Sequence, residues 1–335
     1  MPIEPLETPL LEARNLTIAI KKDGKHLNVL RGVNFEIGRG EIVGLAGESG
    51  CGKTISALSV MGLLPKNIRV SDGEIVLNEE SRRIVLNGQS EKEMRKIRGK
   101  EISMIFQEAR QSLNPLVKVG LQITETLELH GVTDKKERRL AALAELEKLG
   151  FSDCERVYNS YPHELSGGMC QRVMIAIASI CRPKLLIADE PTTSLDKKNH
   201  DQIISLLGEI KRNFGTAVFF ISHDLSVMRS FCQRILVMYA GRIVEEGASE
   251  KIFTQPFHPY TKGLLGAIPS GHLRGRPLAN IPGRIPSITS QIEHCPFAPR
   301  CPHFFPACLT GFPPAEDLGD GHKASCFLAK AARSG

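Results

Sequence analysis

Between the apolar run IVGLAG and the segment ISALSVMGLL stands a glycine-rich loop made of Gly47, Glu48, Ser49, Gly50, Cys51, Gly52, Lys53 and Thr54. The pattern G-x-x-x-x-G-K-T can arise by accident. Placed after a strand and before a helix, it leaves few folds open to the chain. Glycines let successive backbone N–H groups curl around an anion, and the helix that follows adds its positive end. In that geometry Lys53 reaches the β- and γ-phosphates of a nucleotide and the Thr54 hydroxyl ligates Mg²⁺. An α/β fold with parallel strands is the expected setting.

A second segment, KLLIADEPTTSLD, supplies acids where such a loop needs them. An apolar strand through Leu185 and Ala188 ends in Asp189 and Glu190. The carboxyl ends of parallel strands face the ligand crevice, so both carboxylates are expected beside the phosphate loop. Asp189 is suited to hold Mg²⁺ through water, and Glu190 to polarise an attacking water as general base. A third apolar run, TAVFFISHD, ends at Ser222 and His223. A strand that merely ends in two solvated acids is the plain alternative, and the glycine loop weighs against it.

Composition narrows the class further. At 335 residues the chain has room for about two domains, and with 41% hydrophobic and 24% charged residues it can bury a sizeable core. Trp is absent and aromatics are 5%, which disfavours a stacking platform for nucleic acid or sugar. The chain has no run of eighteen apolar residues, and its first residues carry acids where a signal peptide is basic, so it is expected neither to cross nor to enter a membrane by itself. From Lys251 onward there are nine Lys and Arg against four Asp and Glu, with 12 of the 20 prolines and four of the nine cysteines. That break sets a boundary near residue 250 and argues against a globally basic nucleic-acid binder. The other five cysteines are spread singly, with no oxidised framework implied.

The family resemblance rests on LSGGMCQR, formed by Leu165, Ser166, Gly167, Gly168, Met169, Cys170, Gln171 and Arg172. It is similar to the signature motif of ATP-binding-cassette ATPases, and Lys53, Gln107, Ser166, Asp189 with Glu190, Asp196 and His223 follow in that family's order. The resemblance covers residues 11–250. It implies a P-loop NTPase core with an antiparallel β edge subdomain and a helical subdomain at about 109–168. The hairpin of LLEARNLTIAI and LNVLRGVNFEI suits the first. KKERRLAALAELEKLG, with Leu140, Leu143, Leu146 and Leu149, suits the second. Two such bodies would pack head to tail, with Leu165, Ser166, Gly167, Gly168 and Gln171 facing the other body's nucleotide. Gln107 would contact metal and water. Ser194, Leu195 and Asp196 would shape the dimer contact, and His223 would hold the γ-phosphate and orient Glu190. The usual adenine-stacking aromatic is missing before Phe35, which leaves Ile20 or His26 for that place.

The tail, 251–335, reads as an irregular extension because its prolines lie too close together for long helices. IFTQPFHPYTKGLLGAIP and IPGRIP look like the C-terminal extension of oligopeptide and dipeptide importer ATPases. That resemblance implies a peripheral subunit on the cytoplasmic face of the membrane. Its partners would be two transmembrane permease subunits, a second ATP-binding subunit (a copy or a sister) and, indirectly, an extracytoplasmic solute-binding protein, with no nucleic acid. Cys295, Cys301, Cys308 and Cys326 are expected to hold one metal centre, since thiolates suit both zinc and iron–sulfur and the tail lacks apolar mass. Spacing decides neither metal, and the resemblance implies [4Fe-4S] with zinc as the alternative. A soluble ATPase acting on ribosomes or nucleic acid is the other reading. The single glycine loop and the short stretch between Gln107 and Ser166 disfavour it.

Overall fold

The computed structural model describes residues 8–22, 24–79, 82–193, 195–268, 280–287 and 292–332. The chain divides into two compact units, one of residues 1–37, 42–87 and 222–335 and the other of residues 38–41 and 88–221.

In the first unit the expected hairpin forms, with Leu11 opposite Ile37 and Lys22 opposite Lys25. Its strands, Leu11–Lys22 and Lys25–Ile37, are extended by Ile68–Glu79 and Arg82–Val85 into a four-stranded antiparallel sheet. Leu16, Ile18, Leu30 and Ile75 are fully buried, as the period-two pattern of a one-sided sheet requires. The strand that feeds the glycine loop, Ile42–Ala46, is buried at every position and runs parallel to Arg234–Tyr239.

Arg242–Ala248 pairs antiparallel with Arg234–Tyr239, and the tail adds Lys323–Ser325 and then Ala315–Asp317. Proline spacing held no sign of these two short strands. Their anchor is Glu245, which is 1% exposed. Its carboxylate accepts from the amides of Phe257 at 2.7 Å and His258 at 2.9 Å, and from His322 Nε2 at 2.7 Å. Burial alone would push the carboxyl up. The bonds from His322, Phe257 and His258 outweigh it and hold Glu245 below the usual carboxylate range.

His258 is 2% exposed, and its Nδ1 accepts the Tyr260 amide at 3.0 Å, capping the helix Pro259–Gly266. That bond needs a neutral ring. Burial pushes the imidazole down to about 4 from 6.5, against the opposing pull of Glu245. Between those values the unfolded chain binds the extra proton, so acid favours unfolding. Stability should therefore fall as pH drops from about 6.5 toward about 4, by on the order of 3 kcal/mol. Glu245, with its depressed carboxyl, adds its own loss only at lower pH. Thermal melts across this range should show the slope, and His258→Asn, a cap that does not titrate, should flatten it. Equal slopes in the two proteins would rule His258 out as the source.

In the second unit three buried parallel strands, Ile102–Ile105, Leu185–Asp189 and Ala217–Ile221, pair side by side. The expected helical region forms as Val119–Leu129, Lys135–Lys148 and Cys154–Asn159, followed by Gly167–Ser179. The leucine stripe does not hold throughout: Leu146 and Leu149 are buried, but Leu140 is 67% exposed. A three-residue step turns an α-helix by about 300°, so the row rotates off the core face. The inner face uses Arg138, Ala142, Glu145 and Leu146 instead. Glu145 accepts from Ser179 Oγ at 2.7 Å, which ties this helix to Gly167–Ser179.

Candidate functional site

The glycine loop takes the shape its composition demands. Gly50 has φ of 78° and Gly52 of 116°, both in the left-handed region that L side chains avoid. A Cβ at Gly52 would also meet Leu30 Cδ2 at 2.7 Å. The Cys51 carbonyl accepts from the Gly241 amide at 2.8 Å, and the Cys51 side chain is fully buried. Ser49, Gly50 and Thr54 face solvent while Lys53 is 5% exposed. Its Nζ folds back to donate to the carbonyls of Gly47 at 2.8 Å and Glu48 at 3.1 Å. These bonds hold a buried ammonium that a phosphate oxygen can claim. In the same unit the Ser222 amide donates to the Leu45 carbonyl at 3.4 Å, which brings exposed His223 to the end of the strand entering the loop. Ile20 is half-buried and His26 exposed, on paired strands near the hairpin turn.

In the second unit Asp189 closes its strand at 1% exposure. Glu190 has φ of 46°, a conformation costing about 1–3 kcal/mol for a residue with a side chain. Its amide donates to the Ile221 carbonyl at 2.9 Å, which holds it against the end of the neighbouring strand. Its Oε2 accepts from Gln107 Nε2 at 3.3 Å and from Thr193 Oγ1 at 3.0 Å. Gln107 and Glu190, 83 residues apart in sequence, are thus brought together. Thr193 escaped the sequence reading, although it stands inside the quoted acidic segment.

The LSGG residues begin a helix. Ser166 caps Gly167–Ser179 by accepting the Met169 amide at 3.3 Å, which leaves exposed Gly167 at its positive end. The Leu165 side chain is buried and its carbonyl accepts from Arg110 Nη2 at 2.9 Å, so Arg110 links the segment after Gln107 to the motif. No pattern in the sequence marked Arg110. Gln171 is only 5% exposed and points inward rather than out from the motif. Asp196 caps the helix Lys197–Phe214 and accepts from Asn199 Nδ2 at 2.7 Å. A Cβ on Gly168 would meet Asn199 Oδ1 at 2.8 Å, so Asp196, Asn199 and Gly168 form one packed group. Leu195 precedes that cap, and Ser194 lies outside the described residues.

The metal expectation fails. Cys295, Cys301, Cys308 and Cys326 line one small pocket with His258, Phe297, His303 and Phe305. Yet among the described residues no group of three or more His, Cys, Asp or Glu is placed to hold a metal ion. The premise of a coreless tail is what failed. Tyr260, Phe297, Ala298, Cys308, Ala324 and Ala329 are buried and supply that core. Burial pushes the thiols of Cys295 and Cys301 up, and that of Cys326 to about 11, so here they pack as neutral groups. Neither an iron–sulfur nor a zinc centre is formed by these residues. For Mg²⁺ each unit carries donors of the right kind: the Thr54 hydroxyl in the first, and the Asp189 carboxylate and Gln107 amide oxygen in the second, are hard oxygen ligands.

Residues 30–193 match the family model described as "ABC transporter", and residues 244–308 match "Oligopeptide/dipeptide transporter, C-terminal region". The chain is 44% identical over 321 residues to the probable peptide ABC transporter ATP-binding protein of Sinorhizobium fredii, covering 95% of this chain and 94% of that one. It is 43% identical to the oligopeptide transport ATP-binding protein of Escherichia coli, over 95% of this chain and 93% of the relative. The dipeptide transport ATP-binding protein of Bacillus subtilis matches at 43%, over 95% and 94%. Among solved structures, a dimeric ATP-binding cassette in a post-hydrolysis state with ADP and phosphate superposes with a TM-score of 0.64 at 31% identity, covering 71% of this chain and 98% of that one.

Proposed function

The chain belongs to the ATP-binding subunits of ABC transporters, close to the oligopeptide and dipeptide type, and on that ground we propose that its ATP hydrolysis drives a membrane permease that imports peptides. The observation that carries the peptide assignment is the match of residues 244–308 to the oligopeptide and dipeptide C-terminal region, beyond the ATPase motifs. Two matched regions, 30–193 and 244–308, also support dividing the chain into an ATPase body over 1–250, with its helical part at about 109–168, and a tail over 251–335.

Each residue has a part in this reading. Lys53 and the amides of Gly47 to Thr54 bind the phosphates. Mg²⁺ would neutralise phosphate charge, and Thr54, Asp189 and Gln107 offer the oxygen donors that suit it. Glu190 takes the proton of the attacking water, Gln107 and Thr193 orient its carboxylate, and His223 steadies the γ-phosphate. Ser166 and Gly167 offer a helix N-terminus to the nucleotide of a second subunit, as head-to-tail pairing requires. That pairing is supported by the dimeric cassettes to which the fold is similar.

A docking place for the permease is supported by a groove of about 700 Å³ between helices of the second unit, lined by Leu121, Gln122, Glu128, Arg139 and Tyr158. Of its lining Leu121 is 55% exposed, and Leu116, between lining residues Asn114 and Val117 in sequence, is 85% exposed. No helix among the described residues is long and apolar enough to cross a membrane, so attachment at the cytoplasmic face would come through such a partner. Purification of the tagged chain from detergent-solubilised membranes should bring down two multispan proteins and a second ATP-binding chain. Ribosomes or nucleic acid in their place would overturn the transporter reading.

Gly168→Asp tests the pairing. Nucleotide binding by the monomer should persist, while hydrolysis and ATP-driven dimerisation fall. Part of the loss should come from displacing Asn199, which Asp196 holds against Gly168, and Gly168→Ala measures that part alone. Loss of ATP binding by monomeric Gly168→Asp would contradict the trans role.

A further inference from the structure

The tail reaches the phosphate loop. Within the first unit the Tyr260 hydroxyl accepts the backbone N–H of Glu48 at 2.9 Å, across 212 positions of sequence. The Glu48 carboxylate receives Arg300 Nη1 at 3.1 Å, across 252 positions. The Glu48 carbonyl is one of the two that Lys53 holds. One loop residue is therefore tied at its amide, its side chain and its carbonyl, and two of those three ties come from the tail.

Both tail residues are themselves fixed. Tyr260 is fully buried, with ring centroids 4.5 Å from Tyr239 and 5.5 Å from Phe297. Burial pushes its hydroxyl far up, so it remains a neutral phenol at any working pH. The helix that carries it starts at the His258 cap, beside the Glu245 anchor. The Arg300 side chain is 7% exposed. Its Nε donates to the Pro282 carbonyl at 2.9 Å, its Nη2 to the Ile281 carbonyl at 3.1 Å, and its Nη1 also to the Tyr239 hydroxyl at 3.3 Å. A guanidinium held at all three nitrogens presents Nη1 to Glu48 with little freedom left to lose.

We infer that the C-terminal segment is a brace for the phosphate loop, and that Tyr260 and Arg300 are positioning residues for ATP binding. The inference rests on reading Gly47 to Thr54 as the nucleotide loop. A loop rich in glycine loses much conformational entropy when it closes on phosphate. Fixing Glu48 beforehand removes part of that loss. It also keeps the loop open in shape when Lys53 leaves the Gly47 and Glu48 carbonyls for the phosphates. The brace acts on the grip for nucleotide rather than on the proton transfer at Glu190, so its effect belongs in Kd and KM.

The test uses the full chain, with Mg²⁺–ATP titrated by calorimetry and steady-state ATPase measured beside it. Tyr260→Phe keeps the ring packing and removes only the hydroxyl. It should raise the ATP Kd and KM by about 5- to 10-fold, the size of one buried hydrogen bond, with kcat changed less than about twofold. Arg300→Gln should raise Kd similarly, and its effect should be non-additive with Glu48→Gln, since each removes the same pair. Lys323→Gln breaks the Lys323–Glu246 pair of the tail at 2.9 Å, away from Glu48, and should leave Kd unchanged even where it lowers the melting temperature. A merely structural role for Tyr260 would lower the melting temperature and leave Kd at the wild-type value, and that result overturns the brace. Failure of the wild-type chain to bind ATP would instead sink the nucleotide reading, and the brace with it.

Discussion

Glu190→Gln should lower steady-state ATP turnover by about 10²-fold or more while ATP binding is kept, the size of effect expected when a general base is removed. The geometry makes this substitution clean. The Glu190 Oε2 atom accepts from Gln107 and Thr193, and a glutamine oxygen can accept the same two bonds. The strained backbone at Glu190, with φ of 46°, is asked to hold a side chain of the same shape. The ability to take a proton is lost together with the carboxylate's charge. The variant should accumulate as an ATP-bound dimer, visible by size-exclusion chromatography with ATP present. Wild-type turnover in Glu190→Gln would mean that another group activates the water.

Lys53→Ala acts at the earlier step. The ammonium is buried and donates to two loop carbonyls, and in the bound state it would donate to two phosphate oxygens instead. Hydrogen bonds to charged groups contribute about 1.5–3 kcal/mol each, so the ATP affinity should fall by about 10²-fold or more. The loop itself should survive, because Gly241, Tyr260 and Arg300 still hold it at Cys51 and Glu48. Circular dichroism and thermal melting should therefore resemble the wild type while calorimetry shows weak or no binding. Tight ATP binding by Lys53→Ala would remove the lysine from the phosphate site.

The two substitutions fail in different ways, one in binding and one in turnover, and that separation follows from residues that were legible in the sequence. The loop from Gly47 to Thr54 and the acids at Asp189 and Glu190 are local devices. A glycine with positive φ or a strand that ends in an acid needs only its neighbours. The hairpin from Leu11 to Ile37 was legible for the same reason. Which leucines of Lys135–Lys148 face the core was not legible, because that depends on what packs against the helix, and Leu140 is exposed. The cysteines were misread because the tail's core could not be counted from its own composition. Tyr239 comes from outside the tail and packs against Tyr260 and Phe297, and Glu245, also outside it, anchors His258 and His322.

By itself, then, the sequence determined the glycine loop and the acid-ended strand of this protein, since each is written in a few consecutive residues. Tertiary structure alone decided that Gln107 meets Glu190, that Arg110 holds the Leu165 carbonyl, and that Tyr260 and Arg300 grip Glu48. These partners lie from 55 to 252 positions apart. A hydrogen bond carries no mark in the chain when its two ends are brought together only by the burial of everything between them.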